Sequence, residues 1–546
     1  MLPYAQETFS DAEREVLRRY FTNLDGPVFA LVNLPEVVKG ALFARYSRSA
    51  KSLRRLFLDE FVEDLDVAGD AGLDATVGVA RAEALYSRVF NDYGDDSVAQ
   101  LGGVHLACEQ ASNLLTKILE RGRLMAYLEQ STRYIPYSTR LASGHYRYYR
   151  DPEILDSPLG ARYVGDMDRM FDTYAALLPK LQAHLMRRHP KPAGVGDLAY
   201  RRSVKARALD ALRGLLPAAA LSNVGIYGSG QSFELLLLRM RSDPLPEARR
   251  YAELMLEELR KVIPSFLSRI DRPERGGKWA AYLGGRRRET AAVVGQLWPG
   301  REPPAGELAP PGISLDLVDH DPQGEEKVLV AICYPFSGRS EAETARRVAR
   351  LSEAERARLF DAYVGERTNR RHRPGRAFER TAYRFDVVSD YGSFRDLQRH
   401  RMLTVDWQPL GVSLGWSVPE VVAEAGLGDP FRESVERSAE LYGALQEAFP
   451  ERAAYAVALA FNVRYSLQLS AREVMHVTEL RSSPQGHPAY RRIAQEMHRL
   501  IAEQAGHRMI ARAMTFVDHG EPELGRLGAE TASERRRTPD RAAKGH

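Results

Sequence analysis

Several stretches of the chain carry apolar residues at helical spacing. In 104–119, Val104, Ala107, Cys108, Ala111, Leu114, Leu115 and Ile118 fall on one stripe. In 246–266, Tyr251, Leu254, Met255, Leu259, Val262 and Ile263 do the same, with Pro264 near the end. Residues 340–364 and 490–501 share that period. Short runs suited to strands stand at 28–32, 313–318, 327–333 and 383–388. The mixture predicts an α+β chain in which helix dominates. Between about 272 and 312, Pro, Gly and charge crowd together, a composition that breaks regular elements and marks an exposed linker. After His519 few core-forming residues remain, and the tail reads as disordered. The expected organisation is a first unit over 1–271, a linker over 272–312, a second unit over 313–519 and a tail over 520–546.

Length agrees with this division, since 546 residues exceed one typical domain. Charge adds little: 77 basic residues against 73 acidic leave a weak overall field, so nucleic-acid binding by bulk electrostatics is not indicated. Cys108 and Cys333 are the only cysteines, which excludes a disulfide framework or a cysteine-based zinc site; both read as buried core thiols, and no metal is expected. The N-terminus lacks a basic stretch followed by an apolar one, so no secretory signal is expected. No apolar run approaches the roughly 20 residues needed to span a bilayer. A soluble cytoplasmic protein, with neither nucleic acid nor membrane as partner, is the expectation.

The chemistry concentrates in residues 121–134, which read RGRLMAYLEQSTRY. Arg121, Arg123, Glu129, Ser131 and Arg133 fall within them, and a guanidinium offers a planar fork of donors that matches phosphate oxygens in pairs. If 129–133 is extended, Glu129, Ser131 and Arg133 alternate to one side and form a wall of acceptor, hydroxyl and cation. The full string resembles the signature of the flavin-dependent thymidylate synthases: R-H-R, seven residues, then Ser, elaborated as E-x-S-x-R-Y. Seven residues (124–130) separate Arg123 from Ser131, and E-x-S-x-R-Y is present from Glu129 to Tyr134. Gly122 stands where the family has histidine.

The second half resembles the same family. Arg399, His400 and Arg401 form an intact R-H-R, preceded by a stretch around Phe378 and Glu379 that resembles the family's F-E-H element. Each half has a later Leu-Arg before an amphipathic helix, at Arg239 and at Arg481. The chain therefore looks like a tandem fusion of two diverged copies, each expected as a small sheet wrapped by long helices. The resemblance implies methylation of dUMP to dTMP, with methylenetetrahydrofolate as carbon donor and FAD relaying hydride from NADPH. It assigns substrate contacts to Arg121, Glu129, Ser131, Arg133, Arg213 and Arg239, with Arg239 and Ser131 nearest the chemistry. It assigns flavin contacts to Arg123, Arg399, His400, Arg401, Arg472 and Glu379. Two chains would pair to mimic the family's tetramer.

The copies have lost complementary parts. The first lacks the histidine, and its N-x-R element falls on or next to Gly228, Ser229 and Gly230; the second carries Trp407, Pro409 and Gly411 where E-x-S-x-R belongs. One half would thus supply nucleotide contacts and the other flavin contacts. The same losses fit a catalytically silent homologue that binds a nucleotide or flavin, or serves as a scaffold. His476 and His487 are further polar candidates. The basic clusters at 147–150, 370–373 and 535–537 leave a nucleic-acid-binding reading open.

Overall fold

The computed structural model describes residues 7–34, 39, 42–43, 46, 49–60, 62, 103–298, 306–308 and 312–543. The chain divides into two compact units, each discontinuous in sequence. Residues 1–175, 216–303 and 434–458 make the first, and 176–215, 304–433 and 459–546 make the second.

Each unit is built on a four-stranded antiparallel sheet, and the strand order is the same in both. The first holds β1 (Val28–Leu31), β2 (Gly103–Ser112), β3 (Met125–Glu129) and β4 (Leu221–Ser229) in the order β1-β2-β4-β3. The second holds β5 (Ser314–His320), β6 (Ala382–Asp390), β7 (Thr404–Trp407) and β8 (Asn462–Ser470) in the order β5-β6-β8-β7. The likeness extends to single caps. β2 ends in Ser112, whose side chain accepts the Leu115 N–H and starts the helix Asn113–Leu119. β6 ends in Asp390, which accepts the Ser393 N–H and starts Tyr391–Leu397. A side-chain oxygen at this position satisfies a first-turn donor, so the strand passes into the helix without a loop. β4 and β8 likewise end in Ser229 and Ser470, which cap Gly230–Arg241 and Ala471–Arg481. The fold is α+β, helix-dominant, and holds two tandem copies of one plan.

Several local expectations are corrected. Residues 104–119 form β2 and a short helix instead of one long helix. Nearly every residue of β2 is buried, so the strand shows no alternation and its apolar positions match a helical stripe by coincidence. The run 327–333, expected as a strand, lies inside the helix Gly324–Ser337, closed by Gly338 in the left-handed region at φ 60°. Residues 340–364 form two helices, Glu341–Val348 and Glu353–Val364, the second started by a capping box of Ser352 and Glu355. The linker composition conceals a helix, Lys278–Leu297. The tail, expected as disordered, forms Leu527–Ala543, which packs against Asp197–Leu212, and Arg526 is buried beside Asp210 at 3.5 Å. Cys108 is buried, whereas Cys333 is only partly so. Among the described residues, no helix is long and apolar enough to cross a membrane.

Each unit borrows a segment from the other half of the sequence. The helix Gly160–Arg188 begins in the first unit and ends in the second, and Gly428–Ala448 does the reverse. In the first unit the Ala218 N–H donates to Val457 O at 2.8 Å and the Ala219 N–H to Tyr455 O at 3.0 Å. The Tyr455 ring stacks on Tyr149 with centroids 5.0 Å apart, and its hydroxyl donates to Glu247 at 2.8 Å. Glu247 is fully buried and also accepts the Ser112 N–H at 2.9 Å and hydroxyl at 2.6 Å. One carboxyl thus joins a strand cap, a helix start and the borrowed segment.

Burial pushes the Glu247 carboxyl up to about 7, against the hydrogen bonds from Ser112 and Tyr455 that favour its charge. A raised value means the fold prefers the protonated form. This contribution is complete below the ordinary value of 4.5 and is lost as pH rises through about 7. Equilibrium urea unfolding is expected to show the first unit losing about 3 kcal/mol between pH 5 and pH 8 from this group. Glu247→Gln should remove most of that difference; an unchanged pH dependence in the variant would contradict the assignment.

Candidate functional site

In the first unit, the helix Asn113–Leu119 delivers the chain to Arg121 and Arg123, and β3 carries it away. Both arginines are exposed, with Gly122 buried between them. Tyr127 closes the space over this glycine. Its hydroxyl donates to the Gly122 carbonyl at 3.1 Å, and a β-carbon at 122 would lie 2.6 Å from the Tyr127 hydroxyl oxygen. Counted from the caps Ser112 and Asp390, the second unit has His400 in place of Gly122 and Val405 in place of Tyr127. The copy with the larger side chain on the strand has none at the turn.

The expected wall of Glu129, Ser131 and Arg133 does not form, because the strand stops at Glu129. The N–H groups of Tyr134 and Ile135 both donate to Ser131 O, and the Arg133 N–H donates to Ser131 Oγ at 3.2 Å. Ser131 and Arg133 therefore sit half-buried on a turn. Glu129 is buried, 3.4 Å from Lys117 Nζ, which also binds Glu120 at 2.6 Å.

Arg239, in the last turn of Gly230–Arg241, is half-buried and makes no ion pair among the described residues. Burial lowers its pKa, and the nearby positive charge of Arg121 lowers it further. A guanidinium remains protonated despite such a shift. Two like charges are thus held together where an anion would relieve both repulsion and desolvation. Apolar surface lies on the same elements: Leu124, Leu128 and Tyr134 are exposed, as is Tyr227, which opposes Ala126 across β3 and β4.

In the second unit, Arg399 pairs with Asp396, and Arg401 and Met402 are exposed. His400 is buried; its Nε2 accepts from Arg481 Nε at 2.9 Å, and its Nδ1 lies 3.5 Å from Glu473 Oε1. Burial, reinforced by the Arg481 charge, holds this imidazole well below its ordinary value, so it is neutral. The His476 ring lies 5.3 Å away, and its Nδ1 is 2.9 Å from Arg373 Nη2. Burial, then Arg373, lowers His476 to about 4, and burial raises Glu473 to about 7. His400, Glu473 and His476 offer three donor atoms within 4.8 Å of one another. Guanidinium groups donate into both imidazoles, however, and a metal cannot share those lone pairs. Arginine occupies this cluster.

Arg472 and Glu379 are brought together at 3.5 Å, and Arg472 Nε donates to Pro374 O at 3.1 Å. Counted from the caps Ser229 and Ser470, the first unit has Gln231 in place of Arg472. His487 caps the helix Pro488–Glu503 by accepting the Ala489 N–H at 3.3 Å, a structural role. Arg213 belongs to the second unit and is buried. Its Nη1 lies 3.2 Å from Asp396, and its Nη2 lies 3.3 Å from Ser393 Oγ and 3.7 Å from Asp390. The first unit therefore groups Arg121, Arg123, Glu129, Ser131, Arg133 and Arg239. The second groups Arg213 with Arg399, His400 and Arg481. Sequence reading passed over Lys117, Tyr127, Asp396 and Glu473; the i,i+3 spacing of Asp396 and Arg399 was the available signal for one of them.

Comparison with known proteins agrees with this repetition. The family model described as thymidylate synthase complementing protein matches residues 43–265 and 316–505. A UPF0159 protein of Chlamydia muridarum is 39% identical over 528 residues, covering 96% of this chain and 98% of the relative. A UPF0159 protein of Thermoplasma acidophilum is 32% identical over 520 residues, covering 90% and 97%. Among solved structures, a UMP/dUMP methylase, PolB, from Streptomyces cacaoi, bound with 5-Br dUMP, is 17% identical with a TM-score of 0.33, covering 39% of this chain and 99% of that one. With both copies matched, the chain belongs to the thymidylate synthase complementing protein family.

Proposed function

We propose that the protein methylates dUMP to dTMP, with methylenetetrahydrofolate as carbon donor and FAD relaying hydride from NADPH. The observation that carries this reading is half-buried Arg239 beside the charge of exposed Arg121, with Ser131 and Arg133 on the turn that follows β3. In this reading Arg121, Arg133 and Arg239 bind the nucleotide phosphate and orient the base, Ser131 donates a hydroxyl, and Glu129 anchors the end of β3 through Lys117. Exposed Leu124, Leu128, Tyr134 and Tyr227 provide apolar area for flat rings.

For the flavin, the second unit offers the exposed cation Arg401, suited to its phosphates, and Arg472 beside Glu379 as a further donor. In the first unit, taken by itself, Arg123 is an exposed cation of the same kind. Bound FAD would supply hydride chemistry that no side chain can provide. His400 would act through Arg481, whose guanidinium it orients, since the imidazole is buried. Two chains would pair in solution to present four copies of the fold. A second reading, a silent nucleotide- or flavin-binding homologue or scaffold, is favoured by the closure of Gly122 under Tyr127 and by the internal partners of Arg213.

The deciding assay is tritium release from C5-labelled dUMP with methylenetetrahydrofolate, FAD and NADPH. Release by the wild type, lowered about 100-fold or more by Arg239→Ala and by Arg133→Ala, is expected if these cations stabilise the reacting nucleotide. Binding of dUMP without release would select the silent homologue, and absence of dUMP binding would overturn both nucleotide readings. A second test addresses the turn. Gly122→His alone is expected to destabilise the first unit by about 1–3 kcal/mol through collision with Tyr127. Adding Tyr127→Val should recover most of that loss in urea unfolding; no recovery would mean that Tyr127 does not set the size of residue 122.

A further inference from the structure

One carboxylate in the second unit is surrounded by arginines from three separate parts of the chain. Asp396 is buried. Its Oδ2 lies 3.2 Å from Arg213 Nη1, its Oδ1 pairs with Arg399 Nη2 and lies 3.9 Å from Arg481 Nη1, and its carbonyl accepts from Arg481 Nη2. Arg213 follows the helix Asp197–Leu212, Arg399 lies just past Tyr391–Leu397, and Arg481 ends Ala471–Arg481. Asp390 adds a second carboxylate at 3.7 Å from Arg213, and Ser393 Oγ accepts from the same guanidinium at 3.3 Å. Two carboxylates and a hydroxyl thus meet three guanidiniums. This is the charge and donor pattern with which a phosphate monoester would otherwise be held.

Among the described residues the first unit has no equivalent. Counted from the caps, Ile118 occupies the position of Asp396, and Ser112 that of Asp390. There Arg239 has no carboxylate at ion-pair distance among the described residues. The same strand order and caps therefore carry different chemistry at this position: Ile118 in the first unit, and a carboxylate among arginines in the second.

We propose that Asp396 is a built-in phosphate substitute that closes the second unit to phosphate monoesters and confines them to the first. A buried carboxylate fixed among three arginines excludes an incoming anion both by occupying its donors and by repelling it. The count of nucleotide sites per chain rests on the function proposed above, but the closure of the second unit does not.

The test uses the full chain and inorganic phosphate. Hydrogen exchange followed over peptides 391–401 and 471–481 should show no phosphate-dependent protection in the wild type. In Asp396→Asn the same peptides should become protected, with phosphate binding there tightened about tenfold or more by the freed charge-assisted bonds. Arg213→Met added to Asp396→Asn should abolish the gain. If Asp396→Asn does not fold, Asp396→Ser, which leaves more room, is put through the same measurement. Protection in the wild type would overturn the proposal, as would failure of the folded neutral variant to gain it. With dUMP as a second probe, Asp396→Asn should bind one nucleotide more per chain than the wild type. Gain with phosphate but no dUMP bound in either protein would sink the proposed function while sustaining the closure.

Discussion

Charge removed from water has to be met by opposite charge or by a dense set of hydrogen bonds, and both units are arranged around that requirement. The short helix after each central strand is where it is met, with opposite signs in the two copies. In the first, Lys117 reaches two buried carboxylates, Glu120 and Glu129. In the second, Asp396, one residue further from its cap, reaches Arg213, Arg399 and Arg481. These inner pairs fix where several of the candidate residues sit. Glu129 anchors a strand end instead of lining a wall, and Arg213 has its partners inside the protein, while Arg239 is held against its natural repulsion from Arg121.

The architecture was largely legible in the sequence, because repetition shows itself twice. R-x-R recurs, each half has a later Leu-Arg, and three of the four expected strand runs at 28–32, 313–318, 327–333 and 383–388 lie on real strands. What was not legible had physical causes. Residues 104–112 are covered on both faces and carry no alternation. Residues 327–333 are rich in β-branched side chains, yet tertiary burial made them helical. The tail lacks a core of its own and orders on Asp197–Leu212, a partner more than 300 residues away that composition cannot reveal.

The resemblance supplies a set of candidate residues and no arrangement for them. It assigns Arg121 and Arg239 to the nucleotide, and the charge of Arg121 reaches Arg239. It assigns Glu379 and Arg472 to the flavin, and the two form an ion pair with each other. It did not predict that Ser131 begins a turn, since the E-x-S-x-R alternation fits an extended chain equally well. Nor could a single half reveal where Arg213 goes. Its partners Asp390, Ser393 and Asp396 lie roughly 180 residues downstream, in the other copy.

That exchange of segments has a consequence for how the chain acquires its structure. Glu247 reaches Tyr455 across 208 residues, so the first unit cannot be completed when its own sheet has been synthesised. Its strands β1 to β4 leave the ribosome before the segment 434–458, which belongs to the same unit, exists. The second unit has the opposite timing, since 176–215 is made first and waits for a sheet that has yet to appear. Contacts of such separation are entropically slow to form and leave apolar surface exposed in the interval. The nascent chain therefore carries two incomplete units until the later segments of each have been made.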